Sequence, residues 1–94
     1  METKDAIRTK LEARLQELRA EIDKLEAKAK DRQADAQLES DKTLDELRDK
    51  RTETERKLED LRRAGESAWD DTRMGLERAV EDLRGALDKA KSRF

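Results

Sequence analysis

From Ile7 onward the large apolar residues recur at steps of three and four, through Leu11, Leu15, Leu18, Ile22, Leu25, Ala29, Ala36, Leu44, Leu47, Leu58 and Leu61, once the polar positions Arg32, Ser40, Arg51 and Thr54 are counted in the series. Only an α-helix returns side chains to one face at that period, so these residues form a single narrow stripe. The average step stays close to 3.6 residues, and the stripe hardly drifts around a straight helix. From Lys57 the pattern becomes an eleven-residue repeat: Lys57 to Ser67, Ala68 to Arg78 and Ala79 to Lys89, with Ala90 to Phe94 opening a fourth unit. Each unit carries an apolar residue at its second position, an acid at its fourth and Arg at its sixth, apart from the short last one. Eleven residues make three helical turns, which keeps those positions aligned along a rod.

These patterns predict an all-α protein of one domain, with a first helix over about 4–63, a turn over about 64–67 and a second helix over about 68–93. Thr3 suits the cap of the first helix, and Asp5 lies favourably near the positive end of its dipole. Arg62 and Arg63 suit a helix C-terminus, Gly65 the left-handed position that follows one, and Ser67 with Asp70 an N-cap and its acidic partner. Two other divisions fit the sequence. The repeat keeps its phase through Gly65, as one uninterrupted helix would, and a bend near Ser40 and Asp41 would give a three-helix bundle. No Gly or Pro marks a turn between Lys28 and Thr43, however, and the expectation is a long first helix of ~90 Å with a second of ~40 Å folded back along its second half as an antiparallel hairpin.

In that arrangement Leu44, Leu47, Leu58, Leu61, Trp69, Leu76, Val80, Leu83 and Leu87 pack the hairpin. Leu11, Leu15, Leu18, Ile22 and Leu25 then lack an intramolecular partner and form a seam for a second chain. The protein is expected to self-associate, as an antiparallel dimer or higher coiled-coil bundle. Trp69, Leu76, Val80, Leu83, Leu87 and Phe94 lie on one strip of the second helix, with the small residues Ala68, Gly75, Ala79, Ala86 and Ala90 beside it, so this helix should touch more than one neighbour. Trp69 reads as a staple holding the start of its helix to the first helix. Arg32 and Arg51, on the seam, read as register-setting residues.

Composition changes this picture by limiting what else the chain can be. It has 94 residues, 51% charged and 33% hydrophobic, with 23 Lys and Arg against 25 Asp and Glu. A nearly neutral net charge of -2, with bases and acids interleaved, gives no footprint for nucleic acid. It also separates the chain from disordered proteins of high net charge. Pairs such as Glu26 with Lys30, Glu46 with Lys50, Glu53 with Lys57 and Glu59 with Arg63 stand four residues apart in the favourable order and support a solvated helix face. No apolar run resembles a signal peptide or approaches the roughly 20 residues that span a bilayer, which points to the cytoplasm.

Chemistry is scarce. His, Cys and Tyr are absent, which removes thiolate and imidazole ligands and the commonest acid, base and nucleophilic side chains. The acid clusters Glu39-Asp41-Asp45 and Asp70-Asp71 lack the loop spacing and Gly turn of a Ca²⁺ site and the Glu-x-x-His of a di-iron bundle. Isolated glycines make no phosphate loop. The expectation is a non-enzymatic protein with no cofactor and no metal.

The blocks Glu21-Ile-Asp-Lys-Leu-Glu-Ala-Lys-Ala29, Leu58-Glu-Asp-Leu-Arg-Arg-Ala-Gly65, Ala68-Trp-Asp-Asp71, Gly75-Leu-Glu-Arg-Ala79 and Leu87-Asp-Lys-Ala-Lys-Ser-Arg-Phe94 make the chain resemble a family of small bacterial coiled-coil stress-response proteins. The resemblance spans nearly the whole chain and implies a cytosolic bacterial protein without catalysis; it brings no catalytic residues. Aromatic residues are frequent in that family near positions 15 and 80, where this chain has Leu15 and Val80. The functional expectation is therefore scaffolding or stress protection through protein contacts. The alternative is reversible binding of a membrane surface by the repeat helix, whose strip is flanked by Arg73, Arg84 and Lys91. Asp70, Glu77, Glu81 and Asp88, just beyond those cations, weaken its attraction to anionic lipid.

Overall fold

The computed structural model describes residues 3–30 and 34–93, and the side chains of all of these except 34–41. The described chain consists of α1 (Lys4–Lys30), α2 (Ala34–Arg63) and α3 (Glu66–Arg93), and each helix packs against both of the others. The bundle measures 51 × 18 × 17 Å. Successive helices alternate in direction: Glu12 of α1 meets Arg62 of α2, and Thr54 of α2 meets Ala79 of α3.

The expected helix over 4–63 is corrected by this structure. It is two helices folded against each other, and a rod of ~90 Å would not fit within the 51 Å length. α1 ends at Lys30 and α2 begins at Ala34, and the helical backbone of α2 runs on through Ser40 and Asp41, where a bend was the other possibility. Burial explains the outcome. A straight helix leaves Leu11, Leu15, Leu18, Ile22 and Leu25 in water, and covering five such side chains is worth roughly 10 kcal/mol. Folding back therefore wins.

The core is one continuous cluster drawn from all three helices, with Ile22, Leu83 and Leu87 at 0% exposure near its centre. The five α1 residues read as an oligomer seam are all buried within the single chain. Their demand for a second chain is met by α2 and α3. Leu44, Leu47, Leu58, Leu61, Trp69, Leu76, Val80, Leu83 and Leu87 are buried in the same cluster. Among the described residues Met74, at 46%, is the exposed large hydrophobic side chain. Arg32 and Phe94, and the side chains of Ala36, Leu38 and Ser40, lie outside the described residues.

Local chemistry sets the helix ends. Thr3 caps α1: its Oγ1 accepts from the N–H of Ala6 at 3.1 Å, and its carbonyl accepts from Ile7 at 3.0 Å. The α2–α3 turn contains only Ala64 and Gly65. Gly65 does not adopt a positive φ, and Ser67 lies inside α3 and not at its cap, so both expected roles at the turn are corrected. The turn is too short for a separate C′ residue and N-cap. Ala64 N–H closes onto the carbonyl of Leu61, and the carbonyl of Gly65 already accepts the first bond of α3, from Ala68 at 3.2 Å.

Gly75 and Gly85 sit inside α3, and a Cβ at either would meet no atom within 4 Å. Gly75→Ala and Gly85→Ala should each raise stability by about 0.8–1 kcal/mol, lifting the thermal midpoint by about 4–8 °C. Thermal melts followed by circular dichroism test this, and a loss of stability in either variant would show that its helix needs the glycine. Because α1 and α3 share one core, Leu18→Asp and Leu83→Asp should abolish the same cooperative transition, each costing on the order of 4 kcal/mol. A Leu18→Asp chain that melts like the wild type would contradict the shared core.

Candidate interaction surface

The outer faces of the bundle are built from charges, and those at the α1–α2 boundary follow one rule. Arg62 Nη2 reaches Glu12 Oε1 at 3.0 Å, Arg19 Nε reaches Glu55 Oε1 at 3.2 Å, Arg51 Nη1 reaches Asp23 Oδ1 at 3.7 Å and Arg48 Nε reaches Glu26 Oε1 at 3.0 Å. The residue numbers in every pair add to 74. Constant sums define an antiparallel register, so this ladder aligns α1 from Glu12 to Glu26 with α2 from Arg62 back to Arg48. Glu26, a candidate partner for Lys30 on its own helix, is thus engaged across the boundary. Arg51, read as a register-setting residue, pairs with Asp23 of α1.

Hydrogen bonding to Glu26, reinforced by the charges of Glu26 and Asp45, raises the Arg48 guanidinium further above its ordinary value. Arg62 is raised in the same way, first by its hydrogen bonds to Glu12 and Glu59. A cation whose folded-state affinity for its proton is raised lends stability at all lower pH and loses it only as pH climbs through the raised value. For arginine that window is strongly alkaline, and both guanidinium groups stay charged throughout the neutral and acid range.

The α1–α3 boundary is pinned near its ends. Lys91 Nζ meets Glu21 Oε1 at 2.9 Å, and Lys4 Nζ lies 4.0 Å from Glu66 and 5.5 Å from the centre of the Trp69 ring. Trp69 is 8% exposed and staples the start of α3 beside the first turn of α1. Arg73 Nη1 donates to Glu77 at 3.0 Å, whereas its Nε is buried without a hydrogen-bond partner. Between α2 and α3 the small residues of the repeat set the fit. Ala79 and Ala90 are buried and Ala86 partly so, and Thr54, 1% exposed, donates from Oγ1 to the carbonyl of Lys50 at 2.6 Å with the carbonyl of Ala79 at 3.5 Å. Ala68, on the same strip, is exposed at the turn.

Grooves run between the helices. One of about 480 Å³ separates α1 from α3, where Arg14, Glu17, Glu21 and Lys24 face Glu81, Arg84, Asp88 and Lys91 with both signs mixed along open walls. Another of about 370 Å³ follows α2 and α3 past Glu46, Lys50, Asp82 and Lys89. Neither brings polar groups to a common point inside an apolar enclosure, as a small-molecule site does. Among the described residues there is no group of three or more acidic, His or Cys side chains placed to hold a metal, and no helix long and apolar enough to cross a membrane. Compared with protein-family models, with curated proteins and with solved structures, the chain matches none. What the surface can do is present ordered arrays of charge to another macromolecule.

The Glu26–Arg48 pair is solvent-accessible, and a double-mutant cycle with Glu26→Gln and Arg48→Gln should return a coupling of about 0.2–1 kcal/mol at low salt. It should fade in ~1 M salt, where charges are screened within ~3 Å. Denaturant titrations of the four proteins measure it, and a coupling indifferent to salt would refute an electrostatic origin.

Proposed function

We propose that this chain is a non-enzymatic helical protein that works through contacts with other proteins, in scaffolding or in protecting them under stress. The observation that carries this reading is the division of the side chains. Apolar groups are consumed by the chain's own core, and the outward faces hold charges of both signs in fixed register. A surface of that kind recognises the charge pattern of a partner and excludes none by a large greasy patch. The likeness of the Ala68-Trp-Asp-Asp71 and Leu87-to-Phe94 blocks to small bacterial stress-response proteins supports the stress branch, and a cytoplasmic location belongs to the same reading.

One observation favours a second reading, reversible binding to a lipid surface. α3 is an unbroken helix of 28 residues whose apolar strip is continuous from Trp69 to Leu87. Exposing that strip requires the bundle to open. Two of the three flanking cations are already engaged, Arg73 with Glu77 and Lys91 with Glu21. Protein contact is therefore the stronger reading.

Light scattering from a heat-aggregating client protein tests the contact reading: near-stoichiometric amounts of the chain should suppress the rise, and no suppression at large excess would sink the protective role. For lipid, the emission wavelength of Trp69 is a poor guide because the ring is already buried. Quenching by brominated acyl chains in anionic vesicles is the better readout. The contact reading expects none, and strong quenching would transfer the preference to the lipid surface.

A further inference from the structure

We propose that the groove between the first turns of α1 and of α3 is a binding site for a small organic anion, a phosphate monoester carried on a short aliphatic body. The proposal goes beyond the contact reading and does not depend on it.

Helical spacing assembles the groove. Ile7, Lys10, Leu11 and Arg14 follow one another at steps that keep them on one side of α1, and Arg73 and Glu77, four apart, line it from α3. The cleft holds about 310 Å³, at the small end of the ~300–1,000 Å³ typical of ligand sites. Leu11, which is buried, and Ile7, which is partly so, supply an apolar floor.

Charge sets this groove apart from its neighbours. The groove of about 480 Å³ is lined by four cations and four acids, and that of about 370 Å³ by three of each. Here three cations, Lys10, Arg14 and Arg73, meet a single acid, Glu77. Two positive charges are left over locally, in a chain whose net charge is -2. Cations gathered beside an apolar floor repel one another, and an anion laid between them removes that repulsion. A phosphate monoester, with about -1.5 to -2 charge at neutral pH, matches the surplus.

Two of the cations keep donors to spare. Arg14 is exposed and makes no ion pair among the described residues. Arg73 donates from Nη1 to Glu77 at 3.0 Å, but its Nε is buried with no hydrogen-bond partner. An enclosed guanidinium N–H without an acceptor is a costly arrangement. Nε and Nη2 form one edge of the guanidinium, a fork that donates to two oxygens of a single phosphate. A small rotation of the side chain brings that edge to the groove. Lys10 and Arg14 then add their charge from α1, and the aliphatic part of the ligand covers Ile7 and Leu11. An anion without the aliphatic part forgoes the floor, and a neutral amphiphile forgoes the cations.

The test uses the full chain and octyl phosphate below its micellar concentration, titrated by calorimetry at low salt beside inorganic phosphate and the neutral octyl glucoside. One octyl phosphate per chain should bind, roughly tenfold or more tighter than either control, and should raise the thermal midpoint. Arg14→Gln should weaken binding by about tenfold while the ligand-free melt stays unchanged. Arg73→Lys keeps the charge but loses the fork and should weaken it similarly, its own ligand-free melt showing that the bundle is intact. Lys24→Gln, an exposed cation in the balanced groove next to it, should leave binding unchanged. Vesicles of phosphatidic acid separate two sources of such a ligand. Co-sedimentation that Arg14→Gln abolishes marks a membrane-borne headgroup, and octyl phosphate binding without co-sedimentation marks a dissolved one.

Failure of octyl phosphate to bind, equal binding of octyl glucoside, or equal weakening by Arg14→Gln and Lys24→Gln overturns the site. None of these results bears on client aggregation, so the contact reading stands or falls separately.

Discussion

The structure depends on a shortage. Half the residues are charged, and each helix has only a narrow apolar stripe, widened on α3 by the small residues Ala79 and Ala90. Such a stripe is too narrow to be covered by folding the helix on itself and too greasy to leave in water. Two helices side by side shield it from one direction only. Three around a common axis shield it from both, which is why the buried leucines of α1, α2 and α3 meet in one cluster instead of two separate seams. The narrow bundle follows from that requirement and not from any preference of the backbone.

Charge and grease divide the remaining work. Hydrophobic burial is indifferent to direction, and leucines of α1 could be covered with the helix slid by a turn. The ladder of Glu12, Arg19, Asp23 and Glu26 against Arg62, Glu55, Arg51 and Arg48 is not indifferent, because sliding one helix by a turn breaks its pairs and sets Asp23 opposite Glu55 in one direction or Arg19 opposite Arg51 in the other. Each exposed pair adds little on its own. Together they select one alignment among many that would bury a similar area. Thr54 adds a polar mark at the α2–α3 contact, where its hydroxyl is satisfied only with Lys50 and Ala79 near by.

The helical class and the identity of the inward residues were legible in the sequence because periodicity is a local property. The cap at Thr3, the interruption near Gly65 and the two contact faces of α3 were legible for the same reason. The division of the first sixty residues into α1 and α2 was not, since no Gly or Pro lies between Lys28 and Thr43 to mark it. What folds the two helices against each other is the distant advantage of covering Leu11 to Leu25, which no window of neighbouring residues contains. The same blindness turned an intramolecular seam into one expected to need a second chain. The cross-helix ladder was hidden too, although its signal existed: once α1 and α2 are known to be neighbours, opposite charges at a constant sum of residue numbers can be read directly from the chain.

One consequence of the Trp69 staple reaches beyond packing. The chain's sole indole is held at the edge of the core with the ammonium of Lys4 above it, at the point where the first turn of α1 meets the start of α3. With no tyrosine present, near-ultraviolet absorption and fluorescence come almost wholly from that one spot. The molecule carries its own lamp at the junction of two segments far apart in sequence, and fraying of the amino-terminal turn can be watched in solution without attaching a dye.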